Sequence, residues 1–326
     1  MGKHPMAILS GNDKLTIDEK GKKTVVEGKL LDSVREYENI PDTNKEVVGT
    51  PTVHLMVFDE FIAYDHLHDK IILVALAEKE EDAIPVLDRM EREIKTSVPE
   101  EHYALQPTKK IQFTSNMTEE KYEEIVEKAK KYIYDGDIFQ VVLSQRLTAE
   151  TDQKPIDLYR KLRAINPSPY LLYLNFGDYQ VAGSSPEMLV EVSGNKVKTC
   201  PIAGTRKRGK NLKEDIELAE GLLNDEKEIA EHTMLVDLAR NDMGRVSKIG
   251  SVKVTELKQI HYYSHVMHIV SLVEGEKRED KDCFDVLSTF LPAGTLSGAP
   301  KIRAMEIIEE LEEEKMQSIT YLQELI

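Results

Sequence analysis

Residues 225–242 read DEKEIAEHTMLVDLARND, and this stretch decides how the central part of the chain folds. A helix turns by about 100° per residue, which puts four side chains on one stripe: Glu228, Glu231, Leu235 and Leu238. Two carboxylates therefore share a face with apolar side chains. Because a buried carboxylate is costly unless a cation or strong donors meet it, the pattern indicates either a divalent-cation site at Glu228 and Glu231 or an ion-paired surface helix.

Two glycine-containing segments lie on either side of this helix in the sequence. Residues 292–301, PAGTLSGAPK, open into a predicted helix whose N-terminus favours an anion, and Thr295, Ser297 and Lys301 add hydroxyl and ammonium donors. Residues 201–209, PIAGTRKRG, follow a predicted strand and concentrate basic residues in an acidic chain. Both patterns indicate contact with an anionic ligand, although an ordinary connector also explains 292–301.

Two titratable residues lie outside these segments. Glu187, in GSSPE at 183–187, falls at the junction of two apolar strands, where partial loss of water raises a carboxyl pKa toward that of a useful acid. A solvated turn is the alternative. His268 lies in an alternating apolar run, so a catalytic role and a hydrogen-bonded core role both remain open.

Apolar periodicity and turn residues divide the chain into helices and strands. Strands are expected at 14–18, 22–26, 53–59, 61–65, 70–77, 138–147, 170–176, 179–184, 188–192 and 196–201. Helices are expected at 30–37, 81–96, 118–134, 155–166, 214–223, 225–240 and 300–315. Residues 97–117 contain Pro99 and Pro107 among mixed polar residues, which is typical of a linker.

Composition narrows the class of protein. The chain has 326 residues and a formal charge of −16, which opposes binding to nucleic acid and to anionic membranes. Its two cysteines, Cys200 and Cys283, lack the spacing of a disulfide framework or a zinc site. We find no signal peptide and no run of 18 uncharged apolar residues. The expectation is a cytoplasmic protein.

Seven motifs occur in a fixed order along the central region. They are DGDIFQVVLSQR (135–146), NPSPY (166–170), GSSPE (183–187), PIAGTR (201–206), the 228–242 helix, VMH (266–268) and PAGTLSGAPK (292–301). Together they resemble the chorismate-utilising enzymes, and within that family the large subunits of anthranilate synthases. The resemblance implies an α+β fold, in which two packed antiparallel β-sheets have helices outside, incomplete here at the C-terminus.

The resemblance also implies a reaction, the first step of tryptophan biosynthesis. Ammonia adds to the ring of chorismate, the C4 hydroxyl leaves, and elimination of pyruvate yields anthranilate. By resemblance Glu187 would be the general acid and His268 would assist the elimination. Mg²⁺ would be held by Glu231 with Glu228. The substrate contacts implied are Gly204, Thr205 and Thr295, and those to the inhibitor tryptophan are Pro169, Tyr170 and Leu171. A glutamine amidotransferase subunit would deliver the ammonia.

Two positions distinguish the branches of this family. Relatives that add water carry lysine where this chain has Gln140, because water needs a base and ammonia is already a nucleophile. Aminodeoxychorismate synthases, which retain the enolpyruvyl group, carry lysine where this chain has Ala203. Gln140 and Ala203 therefore favour anthranilate synthase over isochorismate or aminodeoxychorismate synthase.

The resemblance covers only part of the family's length. We expect residues 1–96 to be a remnant of the N-terminal domain, 97–117 a linker, 118–311 a partial catalytic domain and 312–326 a tail outside the family. The implied C-terminal strands, an arginine contact to the substrate and a second acidic metal ligand have no counterpart. Either an anthranilate synthase with impaired turnover or a non-catalytic remnant that binds the amidotransferase subunit fits this departure.

Overall fold

The computed structural model describes residues 1–2, 4–12, 14–26, 41–98 and 111–315. The chain divides into two compact units, one of residues 1–31 and 48–104 and the other of residues 32–47 and 105–326. The predicted helix at 30–37, most of the predicted linker and the tail beyond Lys315 lie outside the described residues. No helix in the described ranges is long and apolar enough to cross a membrane.

The described part of the first unit is built from antiparallel strands and one helix. Its four-stranded sheet has the order β3-β2-β1-β4, and its other strands form a hairpin of β5 and β6. The strands are β1 (Ala7–Gly11), β2 (Leu15–Glu19), β3 (Lys22–Val26), β4 (Val53–Val57), β5 (Glu60–Asp65) and β6 (Lys70–Ala75). Helix α1 (Glu80–Thr96) packs on β6. Six of these seven elements begin and end within two residues of the expected bounds, whereas β1 was not predicted.

The second unit contains a five-stranded antiparallel sheet and three two-stranded ones. Its short strands are β7 (Phe113–Ser115), β8 (Gln140–Val141), β9 (Leu147–Ala149), β10 (Tyr170–Asn175) and β11 (Gln180–Ser185). The five-stranded sheet contains β12 (Glu191–Ser193), β13 (Lys196–Thr199), β14 (Ile202–Lys207), β15 (Lys253–Tyr262) and β16 (Val266–Glu276). Strand β16 lies at its centre, because β13, β14 and β15 all pair with it. The α+β class expected from the sequence is confirmed.

Two helices of the second unit pack on the five-stranded sheet, and a third packs on β10 and β11. The described helices are α2 (Glu119–Asp135), α3 (Pro155–Ile165), α4 (Leu212–Leu223), α5 (Glu226–Val246), α6 (Cys283–Phe290), α7 (Gly294–Ser297) and α8 (Lys301–Leu311), of which α4 and α5 pack on the five-stranded sheet and α3 on β10 and β11. Helix α5, which contains nearly all of the stretch 225–242, packs on β14, β16 and α6. Its apolar side chains join a core cluster of Val197, Val236, Met243, Val246, Val273, Val286 and Phe290. The sheet and α5 are thereby fixed to each other, which positions the carboxylates that α5 carries.

Several element boundaries differ from the expectation. The strand predicted at 138–147 is two short strands, β8 and β9, separated by a non-strand segment. The basic segment 201–209 is largely strand β14 and not a loop, and the segment 292–301 contains α7 and strand β17 (Gly298–Ala299). Strands β7, β15 and β16 and helix α6 were missed, although an alternating apolar run had been noted around His268. In β15 two register irregularities and a positive φ at Lys258 break the alternation on which strand prediction relies.

The end of α8 is tied to the segment 41–47, far away in sequence. Glu309 is 5% exposed, and its Oε1 accepts from the backbone amides of Thr43 at 2.5 Å and Asn44 at 2.7 Å. The backbone amide of Lys45 then donates to the carbonyl oxygen of Glu313 at 3.2 Å. Residues 309–315, an acidic run in the sequence, are thus an integrated part of the second unit.

Candidate active site

Glu187 is the most perturbed carboxyl group of the predicted site. It lies between β11 and β12, where burial raises its pKa to about 7. The Thr295 hydroxyl and the Ile202 backbone N–H donate to the carboxylate, which lowers the pKa and offsets burial only in part. Two predicted residues, Glu187 and Thr295, are therefore in direct contact. The raised pKa expected from the sequence is confirmed, and near neutral pH the group can hold or release a proton.

His268 is fixed in one orientation by strand β14. Cross-strand pairing on β16 places it opposite Thr205. Its Nδ1 lies 3.1 Å from the carbonyl oxygen of Gly204 and 3.0 Å from the hydroxyl oxygen of Thr205. Because a carbonyl oxygen can only accept, Nδ1 carries the proton in the neutral ring, which leaves the lone pair on Nε2. The Tyr263 ring packs edge-on against the imidazole, with centroids 5.4 Å apart.

Glu228 has two carboxylate oxygens in different surroundings. Oε1 lies 3.3 Å from Nη1 of Arg206. Oε2 faces Gly204, whose φ of +64° suits glycine, and a Cβ built there would lie only 3.2 Å from Oε2. The absence of a side chain at Gly204 thus lets Oε2 approach the backbone of β14, and Oε2 accepts no hydrogen bond among the described residues.

Glu231, one turn further along α5, meets Gln140. The Gln140 side-chain amide donates to Glu231 Oε1 over 3.4 Å, while its own oxygen is buried without a hydrogen-bond partner among the described residues. Gln140 is aligned by pairing of β8 with β17. Within the predicted glutamate pair, Glu231 therefore accepts only one long hydrogen bond.

These contacts form a closed circuit through the second unit. Strand β14 contacts Glu187 through Ile202, and Glu187 contacts α7 through Thr295. Segment 297–299, which follows Thr295, pairs with β8, and β8 reaches α5 through Gln140. Arg206 on β14 closes the circuit at Glu228. Of the predicted site residues, the circuit contains Glu187, Thr295, Gln140, Glu231 and Glu228, and His268 adjoins it through Gly204 and Thr205 of β14.

Three polar residues of the flanking segments have other partners. The Lys301 ammonium lies 2.8 Å from Asp242 Oδ2, and the two side chains are 10% and 7% exposed. The Ser297 hydroxyl donates to the Ala293 carbonyl, and Arg208 pairs with Asp215. The expectation that Lys301 and Ser297 serve as donors to an anionic ligand is therefore wrong. Their hydrogen bonds hold the loop in place instead.

The predicted tryptophan segment lies at the start of β10. Pro169 is exposed, Leu171 is half-buried, and Tyr170 is 39% exposed. Burial raises the pKa of the Tyr170 phenol, with smaller contributions from Cys200 and Glu191. Burial raises the pKa of the Cys200 thiol and the charge of Glu187 raises it further, so the thiol lies near the candidate acid. Nothing described here identifies a tryptophan ligand, and the inhibitor contacts stay a prediction.

One buried polar residue of α5 was missed by the sequence analysis. His232 is fully buried, and its Nε2 lies 2.6 Å from the hydroxyl of Ser271 on β16. The same hydroxyl accepts from the backbone amide of Lys258 at 2.9 Å. Burial lowers the pKa of His232 to about 4, so the ring is neutral. Its position next to Glu231 was the available signal, but only tertiary structure reveals Ser271 as the partner.

The carboxylates of Glu228 and Glu231 are the candidate ligands of a divalent cation. No group of three or more His, Cys, Asp or Glu side chains in the described ranges could hold a metal. Mg²⁺, however, commonly binds through one or two carboxylates and completes its shell with water and substrate oxygens. Oε2 of Glu228, which accepts no hydrogen bond among the described residues, and Glu231, whose Oε1 accepts one hydrogen bond of 3.4 Å, fit that requirement.

Comparison with known proteins gives one family for most of the chain. The family described as chorismate binding enzyme matches residues 10–315, which include 312–315 of the segment assigned to a tail. Anthranilate synthase component 1 of Acetivibrio thermocellus is 55% identical over 296 residues, covering 86% of this chain and 59% of the relative. The chain thus spans about three fifths of that relative's length.

Solved structures show the same relationship. The crystal structure of anthranilate synthase component I from Streptococcus pneumoniae superposes with a TM-score of 0.86 at 36% identity, covering 97% of this chain and 77% of that one. The menaquinone-specific isochorismate synthase of Escherichia coli superposes with a TM-score of 0.64 at 18% identity, covering 96% of this chain and 74% of that one. At that identity the second match supports the fold alone.

Proposed function

The chain belongs to the family of chorismate binding enzymes, and on that premise we propose that it acts as the large subunit of an anthranilate synthase. It converts chorismate and ammonia to anthranilate and pyruvate in the first step of tryptophan biosynthesis. The observation that carries the proposal is Glu187, whose pKa of about 7 and contact with Thr295 suit a general acid. Relatives named anthranilate synthase component 1 support the choice of branch.

The proposed first step is the displacement of the C4 hydroxyl. Ammonia adds at the ring carbon beside the carboxylate, and protonated Glu187 gives its proton to the departing hydroxyl, which leaves as water. Thr295 holds the carboxyl group through the hydrogen bond that it already makes. Because the pKa is near 7, a substantial protonated fraction exists at neutral pH.

The proposed second step is the elimination of pyruvate. The lone pair at Nε2 of His268 accepts the ring proton, while the hydrogen bond from Nδ1 to Gly204 fixes the imidazole. The bond between the ring carbon and the enolpyruvyl oxygen breaks, and the ring becomes aromatic. The released enol takes a proton to give pyruvate. Thr205 and Gly204 flank this position and are proposed to contact the substrate.

The proposed cofactor is Mg²⁺, held by Glu231 and Glu228. When bound, the cation would supply positive charge for the ring carboxylate of chorismate. Gln140, whose side-chain amide donates weakly to Glu231, offers no base for the activation of water. This supports ammonia as the nucleophile over the water-adding branch.

We also propose two interactions with other molecules. A glutamine amidotransferase subunit delivers ammonia, which the name component 1 of the relatives supports. Tryptophan contacts Pro169, Tyr170 and Leu171, which is supported by the position of Tyr170 near Cys200, itself near Glu187.

The test is a reaction with defined components. The purified chain is mixed with chorismate, MgCl₂ and ammonium, and anthranilate fluorescence is followed together with pyruvate in a coupled assay. We expect both products in equal amounts and only with ammonium present. Glu187→Gln should lower kcat by about a hundredfold or more because the proton donor is lost. Glu191→Gln, an exposed glutamate nearby, is the matched control.

Other outcomes separate the alternatives. An aminated product without pyruvate indicates aminodeoxychorismate synthase, and a product without ammonium indicates the water-adding branch. Absence of any product, with retained binding to the amidotransferase subunit, supports the non-catalytic remnant and contradicts the proposal.

A further inference from the structure

Arg206 on β14 joins the strand to the first turn of α5. Its Nη2 lies 2.9 Å from Asp225 Oδ2, and its Nη1 donates to the Thr205 carbonyl at 2.9 Å and to Glu228 Oε1 at 3.3 Å. The other oxygen of Asp225 caps α5 by accepting from the amides of Lys227 and Glu228. The guanidinium is therefore held by three acceptors, and its orientation toward Glu228 is fixed.

This contact leaves the carboxylate of Glu228 with one available oxygen. Oε1 accepts a charge-assisted hydrogen bond from Arg206, whereas Oε2 lies beside Gly204 and accepts no hydrogen bond among the described residues. The side chains of Arg206 and Glu228 are 33% and 21% exposed, so water screens their attraction only in part. Rotation that presented both oxygens to one cation would break the bond to Arg206.

We propose that Arg206 is a positioning residue that restricts Glu228 to one ligand oxygen and so favours Mg²⁺ over Ca²⁺ at Glu228 and Glu231. The inference rests on the cation site of the proposed function. Mg²⁺ requires six ligands in a near-ideal octahedron and takes carboxylates through single oxygens. Ca²⁺ is larger, accepts more ligands and is often bound by both oxygens of one carboxylate. A carboxylate with one oxygen occupied therefore suits the smaller cation.

The ratio of the Mg²⁺ affinity to the Ca²⁺ affinity distinguishes an effect on carboxylate geometry from an effect of charge alone. Loss of the guanidinium removes a positive charge near the site, which strengthens binding of both divalent cations to a similar degree. Release of Oε1 changes the affinities for Mg²⁺ and Ca²⁺ differently, because it allows Glu228 to bind Ca²⁺ through both oxygens. Lysine retains the charge but lacks the planar fork that reaches Asp225 and Glu228 together.

The experiment is calorimetric titration of the full chain, with chorismate present, by MgCl₂ and by CaCl₂. We expect Arg206→Met to shift the ratio of affinities toward Ca²⁺ by about tenfold relative to the unmodified chain. Arg206→Lys should shift it in the same direction but less. Arg208→Met is the matched control, because Arg208 lies two residues away and pairs with Asp215, and should leave the ratio unchanged.

Each result has a distinct meaning. An unmodified chain that binds neither cation contradicts the cation site of the proposed function, and the inference falls with it. An unmodified chain that binds Mg²⁺, combined with an unchanged ratio in Arg206→Met, overturns the inference alone. Circular dichroism checks folding, and if Arg206→Met does not fold, the ratio in Arg206→Lys decides.

Discussion

Segment 292–301 meets a carboxylate near each of its ends, with opposite consequences. Near its start the Thr295 hydroxyl contacts Glu187, and burial raises the pKa of that carboxyl to about 7. At its end the Lys301 ammonium contacts Asp242, which is also buried and has a raised pKa that the lysine counteracts. A neutral donor offsets the burial of Glu187 only in part, whereas the ammonium at Asp242 adds a full opposite charge that favours the ionised form. The first arrangement suits chemistry and the second holds the fold.

Loss of Lys301 should have the largest effect on stability. Lys301→Met leaves the buried carboxylate of Asp242 without its cation, and we expect the free energy of unfolding to fall by about 3–5 kcal/mol. Urea unfolding at pH 7 measures this. Lys315→Met, in a more exposed pair with Asp42, is the control and should cost about 1 kcal/mol or less. Equal losses in the two variants would remove the distinction between the two ends of the segment.

Glu187 should give a smaller, pH-dependent effect. Its pKa is about 7 in the folded chain and near the ordinary 4.5 when unfolded, so between these values only the folded state holds the proton. Stability is therefore lost as pH rises from about 4.5 to 7, by roughly 2–3 kcal/mol. Glu187→Gln should abolish this loss.

Urea unfolding of the unmodified chain and of Glu187→Gln is measured across pH 4.5–8. The free energy of unfolding of the variant is subtracted from that of the unmodified chain at each pH. The difference is needed because His232, whose pKa is lowered to about 4, contributes the opposite trend as pH falls below 6.5. His232 is present in both proteins and its contribution cancels. A difference curve that is flat with pH would show that Glu187 titrates normally in the folded chain.

The smallest effect is expected at Thr295. Thr295→Val removes a donor that stabilises the ionised form of Glu187, so the pKa should rise further, by about one to two units. Infrared difference spectroscopy of the carboxyl stretch, with Glu187→Gln as the subtracted reference, follows this titration. Thr289→Val removes a hydroxyl that bonds the Asp285 carbonyl and serves as control. A midpoint at or below that of the unmodified chain would be inconsistent with the hydrogen bond from Thr295.

Local sequence signals predicted much of the fold because their physics is local. Helix α2 begins after Thr118, whose hydroxyl accepts from the Lys121 amide, and ends at Gly136 with φ +86°, as the capping residues indicated. Strand β15 was not predicted, because its irregular register and the positive φ at Lys258 interrupt the two-residue alternation of apolar side chains. Local rules fail where tertiary contacts stabilise an irregular backbone.

The candidate site was predictable in its members but not in its pairings. The position of Glu187 between apolar strands indicated a raised pKa, and motif order brought Thr295 and His268 into one expected site. Which cation meets which carboxylate depends on packing between elements far apart in sequence. Lys301 was thus assigned to a ligand although it pairs with Asp242, and Arg206 was not connected to Glu228.

The bond between Glu309 and the segment 41–47 has a consequence for biosynthesis. The amide of Thr43 and its acceptor on Glu309 are 266 residues apart. At a translation rate of about 5–20 residues per second, the ribosome needs roughly 10–50 s to make the residues between them. Throughout that interval Thr43 and Asn44 lack their native acceptor. The pairing of Thr43 and Asn44 with Glu309 therefore forms only after residue 309 has been synthesised, so this part of the second unit is completed late.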